Sequence, residues 1–170
     1  MNIAFLTSEY PHPKISHSAG IGTSIKNLAL ELIKKNNKVT VFVYGEDCDE
    51  VFVENEISIH KIRYKKYSLF SWFFYRKQLQ NYINLIIKKE SIKLIEAPDW
   101  TGITAFMKFK CHLLIRLHGT DGYFCNLEGR KQKFKNYLFE KIALKSADSI
   151  TSVSSFTASK TKEIFGIKKE

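Results

Sequence analysis

The sequence predicts a three-layer α/β/α sandwich, in which helices cover both faces of a mainly parallel sheet of about six or more strands. Short runs of β-branched and aromatic residues alternate along the chain with longer segments whose apolar residues recur every three or four positions. The short runs are typical of buried strands, and the longer spacing is that of one helix face. Their near-strict alternation indicates a parallel, Rossmann-like sheet. We expect residues 1–170 to form one such domain, because this length suffices for a single core.

The first part of the chain is a strand–turn–helix unit. Residues 2–7 read as a buried strand, a long polar turn covers residues 8–19, and the apolar residues from 21 to 33 lie on one helix face. Such a unit places free backbone N–H groups and the positive end of a helix dipole at the carboxyl end of the strand, which favours an anion there. The alternative is that Gly20 and Gly22 only permit a tight turn and close helix packing.

The remaining segments continue the alternation. Further strands are predicted at residues 39–44, 57–62, 94–97, 111–117 and 149–153. Helices are predicted at residues 69–89, 101–108, 131–145 and 155–165. Residues 46–50 are expected to form an acidic loop. Because ligands bind at the carboxyl ends of strands in sheets of this kind, the residues directly after each strand are the candidates for a functional site.

Charge and cysteine content narrow the possible partners and location. The formal charge of +10 favours anionic partners such as nucleic acid, acidic lipid or a phosphorylated ligand, unless it only reflects lysines scattered over helix surfaces. Three widely separated cysteines without a C-x-x-C pair argue against a disulfide framework or a zinc site. No signal peptide and no membrane span are recognisable. We therefore expect a cytoplasmic protein, with contact at the inner face of the membrane left open.

Two short motifs are incomplete or unspecific. The dinucleotide fingerprint G-x-G-x-x-G is not met, because Ile25 stands where the third glycine belongs, which argues against a nicotinamide-dependent oxidoreductase. Asp47 and Asp49 match the D-x-D pattern that holds Mg²⁺ or Mn²⁺ in some enzymes. Three letters in an acidic stretch more often mark a solvated loop, and we favour that interpretation.

His118 is the strongest single candidate for a functional side chain. It follows the strand predicted at 111–117, Gly119 next to it allows close approach of a ligand, and Asp121 is near enough in sequence to bond its ring. A lone histidine is usually structural, but the carboxyl end of an inner strand is where ligands bind. No G-x-S-x-G nucleophile motif accompanies it.

Four blocks extend these observations over nearly the whole chain. They are GIGTSIKNLA at residues 20–29, IEAPDW at 95–100, LHGTD at 117–121 and ADSITSVS at 147–154. In this order they resemble the N-terminal, acceptor-side domain of glycosyltransferase family 4, one half of a GT-B fold. Each block is unspecific alone, whereas the ordered set is fairly specific. The family often has a glycine pair where this chain has Ala19-Gly20.

The resemblance implies a retaining transferase that moves a sugar from a nucleotide-sugar donor to a glycan or lipid-linked acceptor, as in polysaccharide biosynthesis, without metal or other cofactor. The backbone N–H groups of Gly20, Ile21 and Gly22 would contact the donor diphosphate, and His118 would lie against the donor sugar. The acceptor-side candidates are His12, Lys14, His17, Asp99, Trp100 and Asp121. Most nucleotide contacts would come from a C-terminal domain absent from this chain, so we expect the chain alone to be inactive.

An aromatic and basic cluster surrounds the start of the helix predicted at 69–89. The candidates for membrane contact are the aromatic residues Tyr67, Phe70, Trp72, Phe73 and Phe74. Tyr75 follows them directly and is not one of the candidates. One interpretation is an interfacial segment that docks on acidic lipid. The other, commoner for clustered aromatics, is packing into the core or against the missing domain.

The alternative function is a non-catalytic basic α/β module that binds nucleic acid or an anionic membrane surface. Such a module requires Lys and Arg to cluster on one face. The sequence distributes them over many predicted helices instead. We therefore expect a nucleotide sugar and its acceptor as partners, and no nucleic acid.

Overall fold

The computed structural model describes residues 1–167, within which seven strands and five α-helices are found. The strands are β1 (Asn2–Thr7), β2 (Lys38–Glu46), β3 (Glu50–Glu54), β4 (Ile57–Arg63), β5 (Leu94–Pro98), β6 (His112–Leu117) and β7 (Ser149–Ser152). The helices are α1 (Gly20–Lys34), α2 (Ser71–Glu90), α3 (Asp121–Leu127), α4 (Phe134–Ser146) and α5 (Ser155–Phe165). Lys168, Lys169 and Glu170, the last residues of the predicted domain, lie outside the described residues.

The strands form one sheet in the order β3-β4-β2-β1-β5-β6-β7. The pairs β1–β2, β1–β5, β2–β4 and β6–β7 are parallel, and β3 pairs with β4 in the antiparallel direction. A parallel pair needs a crossover connection. Helices lie in the connections of β1–β2, β1–β5 and β6–β7, whereas β2 is connected to β4 through the edge strand β3. The predicted Rossmann-like α/β fold class is therefore confirmed.

The chain divides into two compact units. One comprises residues 1–96 with 109–111, and the other comprises residues 97–108 with the described residues from 112 onward. The boundary falls within β5. The start of α1 belongs to the first unit, and His118 belongs to the second.

The first unit has helices on both faces of its strands. In β2 the odd-numbered residues Val39, Val41 and Val43 are buried in one apolar cluster with Ile25 and Ala29 of α1. The even-numbered positions point the other way, as a pleated strand requires. There the rings of Phe42 and Tyr82, the latter on α2, lie 6.4 Å apart between centroids. Burial on both faces explains why β2 is apolar along most of its length.

The prediction of an acidic loop at 46–50, with no strand between it and the strand predicted at 57–62, is wrong. Glu46 instead ends β2 and Glu50 begins β3. In β3 the valines Val51 and Val53 are 57% and 71% exposed. The apolar run of β3 is only three residues long, Val51 to Val53, between two glutamates, which is shorter than the runs that indicate a strand.

The prediction of a helix at 101–108 is wrong. The structure has only a 3₁₀ turn at Trp100–Gly102, followed by further turns. Thr101, Gly102 and Phe106 have φ of 54°, 57° and 64°, which no α-helix tolerates. Gly102 is required here because a Cβ on it would lie 2.4 Å from the carbonyl carbon and oxygen of Phe139 on α4. The sequence analysis also missed α3, which is only seven residues long.

Candidate functional site

The N-terminus of α1 already has a carboxylate bound to it. Glu9, in the turn after β1, accepts a hydrogen bond at Oε1 from the backbone N–H of Gly22 at 2.7 Å. The preceding residue Ala19 is extended and gives the helix no side-chain cap. A carboxylate at this place is favoured by the free N–H groups and by the helix dipole. At this helix start the carboxylate of Glu9, a residue of the chain itself, is therefore the anion that binds the Gly22 N–H.

The two glycines at this helix start differ in how much space surrounds them. A Cβ on Gly22 would lie 2.7 Å from the backbone oxygen of Glu9 and 3.0 Å from the Cα of Tyr10, closer than packed atoms come. A Cβ on Gly20 would have no atom within 4 Å, and Gly20 is exposed. Close packing therefore explains Gly22, whereas the space beside Gly20 is open to a ligand.

The turn between β1 and α1 contacts β3 through the side chains of His12 and Lys14. His12 accepts at Nδ1 from the backbone N–H of Lys14 at 3.1 Å, and its ring lies 4.5 Å from that of Phe52. The ammonium of Lys14 forms an ion pair with Glu50 and lies 5.0 Å over the same Phe52 ring. Two of the predicted acceptor-side residues thus have contacts with a strand that the sequence analysis did not expect. The third, His17, is exposed, and its carbonyl accepts from the N–H of Tyr10 at 3.0 Å.

In the second unit, His118 follows β6 and is half-buried. Asp99, which follows β5, is 1% exposed. Its two carboxylate oxygens accept the backbone N–H groups of His118 at 3.0 Å and Gly119 at 3.2 Å. Gly119 has φ of +123°, a conformation that favours glycine. Asp99 therefore fixes the backbone that carries the His118 ring.

A second buried carboxylate fixes the next two backbone N–H groups. Glu140 of α4 is fully buried, and its two oxygens accept from the N–H of Asp121 at 2.8 Å and of Gly122 at 3.2 Å. Gln132 donates to it as well, at 2.6 Å. Between the two sites Thr120 caps α3, since its Oγ1 accepts the N–H of Tyr123 at 2.9 Å. We call residues 118–122 the 118–122 loop.

Burial changes the acidity of both carboxyl groups beneath this loop. It raises the pKa of Asp99 to about 6 and the pKa of Glu140 to about 7, while the backbone N–H bonds act in the opposite direction. Near neutral pH the loop is consequently bound to an ionised Asp99 and to a Glu140 that is close to its midpoint. The hydrogen bonds to the charged forms are the stronger ones.

Of the other two predicted residues of this unit, Asp121 belongs to the loop and Trp100 follows Asp99. The Asp121 carboxylate accepts from Nδ2 of Asn136 at 3.0 Å and from Nη1 of Arg130 at 3.3 Å, and these contacts lower its pKa. Trp100 is 39% exposed, and its ring centroid lies 6.1 Å from that of Phe124 in an edge-on arrangement. An exposed indole and an ionised carboxylate are suited to contact with a sugar or another polar ligand.

The sequence analysis did not single out Glu9 or Glu140. Both act on backbone groups that are distant in the chain, thirteen residues away for Glu9 and eighteen or nineteen for Glu140. Glu140 lies three and four positions before Ala143 and Leu144, so helical spacing places its carboxylate on the apolar face of α4. A carboxylate on that face is the signal that would have indicated a buried partner.

The two aspartates of the D-x-D motif each have a partner. Asp47 pairs with the ammonium of Lys61 at 2.7 Å, and Asp49 accepts the backbone N–H of Arg63 at 2.9 Å. Within residues 1–167 no group of three or more His, Cys, Asp or Glu side chains is arranged to bind a metal ion. In the same residues no helix is both long and apolar enough to span a membrane.

Comparison with solved structures gives relatives of low sequence identity and similar fold. Sucrose-phosphate synthase from Thermosynechococcus elongatus has a TM-score of 0.66 and 14% identity, over 88% of this chain and 41% of that one. A second structure of that synthase has a TM-score of 0.60 and 13% identity, over 94% and 80%. The catalytic domain of starch synthase IV from Arabidopsis thaliana, bound to ADP and acarbose, has a TM-score of 0.58 and 12% identity, over 96% and 49%.

The chain thus spans 41% of the first of these proteins and 49% of the starch synthase chain. At such identities the likeness shows the fold alone. The search of curated proteins gave no match. The model of the family described as Glycosyltransferase Family 4, however, matches residues 18–170, which is most of the sequence. The chain therefore belongs to glycosyltransferase family 4.

Proposed function

We propose that the protein containing this chain is a retaining glycosyltransferase that uses a nucleotide-sugar donor, with this chain as its acceptor-binding N-terminal domain. Membership of the family and the fold shared with two sugar synthases support the proposal. The observation that carries it furthest is the 118–122 loop. It places a histidine at the carboxyl end of a parallel strand, on backbone that two buried carboxylates bind.

The donor diphosphate has a suitable place at the start of α1. Glu9 takes the N–H of Gly22, so we assign the diphosphate contact to the N–H groups of Gly20 and Ile21. The open space beside Gly20 supports this assignment. When the bond between the sugar and the diphosphate breaks, negative charge develops on the leaving diphosphate. Backbone N–H groups fixed in advance at a helix start stabilise such a charge well.

His118 is proposed to lie against the donor sugar. Its ring can donate a hydrogen bond to a sugar hydroxyl or accept one from it, provided that the backbone fixes the position of the ring. In the transfer, the anomeric carbon loses its bond to the diphosphate oxygen and gains one to the acceptor oxygen on the same face. The acceptor hydroxyl gives up its proton to the leaving diphosphate oxygen. The role of His118 is to position the donor during this exchange.

The remaining parts of the proposal concern the whole protein. The acceptor is a glycan or a lipid-linked sugar, the reaction needs no metal, and it takes place in the cytoplasm or at the inner face of the membrane. A second domain supplies most of the nucleotide contacts, in keeping with the share of its solved relatives that this chain spans. The chain by itself is accordingly inactive.

The test measures nucleotide release from a panel of nucleotide sugars by the full-length protein in the presence of EDTA. The variant His118→Ala is compared with His112→Ala, a histidine at the other end of β6 whose Nε2 lies 2.7 Å from Oγ of Ser149. We expect release by the wild type and by the His112 variant, and a loss of at least roughly a hundredfold in the His118 variant. Release that is equal in both variants would remove His118 from the site. No release from any donor, with salt-sensitive binding to DNA instead, would favour the basic binding module.

A further inference from the structure

Apolar side chains are exposed where α2 begins. Leu69 is 71% exposed, Phe70 67% and Phe74 46%. Their neighbour Tyr75 is buried, and its hydroxyl accepts the N–H of Gly45 at 2.8 Å. The aromatic cluster is therefore divided. Tyr75 packs inward, Tyr67, Trp72 and Phe73 are half-buried, and Leu69, Phe70 and Phe74 face outward. We call residues 64–74 the α2 entry segment.

The charged residues in and next to this segment along the sequence are all basic. No Asp or Glu occurs from Ile57 to Lys89, although the stretch contains eight basic residues. They are Lys61, Arg63, Lys65, Lys66, Arg76, Lys77, Lys88 and Lys89. Lys65 and Lys66 are exposed, and the ammonium of Lys65 lies 5.8 Å over the Tyr67 ring. Three of these residues, Arg63, Lys65 and Lys66, are exposed and lie within six residues of Leu69 in the sequence.

The backbone at the tip of the segment is also unusual. Phe70, the residue before α2, has φ of 48° and ψ of 37°, the left-handed region in which bulky residues are rare. Asn or Gly would adopt this conformation with less strain. Neither local backbone preference nor burial explains a phenylalanine here, so a contact made by its exposed ring is the remaining explanation.

We propose that the α2 entry segment docks the protein on an anionic lipid surface. Exposed Leu and Phe side chains beside lysines are what an interfacial anchor requires, since the apolar groups enter the acyl boundary and the ammonium groups meet the headgroups. Nucleic acid would explain the lysines and an exposed ring on which a base can stack, but not the exposed aliphatic side chain of Leu69. A segment that lies on the membrane also agrees with the lack of a spanning helix in residues 1–167.

The test is flotation of the full-length protein with lipid vesicles. Vesicles of phosphatidylcholine are compared with vesicles in which part of that lipid is replaced by phosphatidylglycerol. We expect binding mainly to the anionic vesicles. Phe70→Asn, which suits the left-handed backbone, should weaken it roughly tenfold, and Lys65→Gln should weaken it roughly fivefold. The matched controls are Phe134→Asn, at an aromatic that is 76% exposed, and Lys35→Gln, at an exposed lysine.

Several results would overturn the proposal. They are no binding to anionic vesicles, equal losses in the segment variants and in their controls, or capture by DNA in place of vesicles. If another part of the full-length protein covers the segment, Phe70→Asn will leave vesicle binding unchanged and the proposal fails. Flotation needs no sugar donor, so its outcome is independent of whether the proposed transfer reaction occurs.

Discussion

Replacing Gly22 by alanine perturbs the strand–turn–helix unit at its tightest point. The added Cβ would lie 2.7 Å from the backbone oxygen of Glu9, and a backbone atom cannot move aside by changing a rotamer. Overpacking of this kind costs about 1–3 kcal/mol. To make room, the turn must shift, which breaks the hydrogen bond from the Gly22 N–H to the Glu9 carboxylate. A hydrogen bond to a charged group contributes about 1.5–3 kcal/mol to stability. The preference of helices for Ala over Gly returns up to about 1 kcal/mol.

The expected net loss for Gly22→Ala is roughly 3 kcal/mol of unfolding free energy. In a chain of this size that lowers the melting temperature by roughly 6–12 °C. Gly20→Ala is the matched control two residues earlier in the same helix, where a Cβ meets nothing within 4 Å. It should leave stability unchanged or raise it by up to about 1 kcal/mol.

Urea unfolding followed by circular dichroism measures both variants, and an unchanged slope against urea would show that only stability differs. Equal stability of the two variants would refute the reasoning, because it would mean that the contact between Gly22 and the turn does not limit packing. A loss at Gly20 alone would refute it as well, since the open space assigned to a ligand would then be occupied by the protein.

Other predictions concern the second unit. Gly102→Ala should lower the free energy of unfolding by at least about 3 kcal/mol, because of the positive φ and the contact with the Phe139 backbone. The control Gly129→Ala, with φ of 67° and open space around it, should lower it by only about 1 kcal/mol. Similar losses in the two variants would contradict the close contact. Burial raises the pKa of Glu140 from 4.5 to about 7 and that of Asp99 from 3.8 to about 6, so the folded state binds more protons than the unfolded state in between. Their contribution to stability is complete below about pH 4 and is lost as pH rises to about 7. In urea titrations the wild type should therefore lose stability relative to Glu140→Gln over that range, and a constant difference would contradict the raised pKa.

The elements that the sequence predicted best are those with strong local signals. The helix predicted at 155–165 is confirmed as α5, with Ser154 as its N-cap and Gly166 in the left-handed conformation at its end. Both are residues that favour those positions irrespective of the rest of the chain. The strand predicted at 39–44 is confirmed as part of β2, because burial on both faces gives a continuous apolar run.

The parts that sequence reasoning missed depend on distant contacts. Residues 101–108 have helical apolar spacing, but the approach of α4 imposes positive φ on Gly102 and prevents a helix there. The placement of His118 after a strand was predictable, whereas its fixation by Asp99 was not, since nineteen residues separate the two groups. That Asp99 faces the acceptor stays a prediction. Its carboxylate accepts the backbone N–H groups of His118 and Gly119, a positioning role that its sequence neighbours do not indicate.

The most direct test of this account is a double-mutant cycle on the turnover rate of the full-length protein. It compares wild type, Asp99→Asn, His118→Ala and the double variant with the donor identified in the panel assay, after melting curves confirm that all four proteins are folded. If Asp99 acts by positioning His118, removing Asp99 from a protein that already lacks the imidazole will have little further effect, so the double variant will be about as slow as His118→Ala alone. Losses that multiply, with the double variant slower by the product of the single effects, would contradict the central claim that the 118–122 loop presents His118 to the donor.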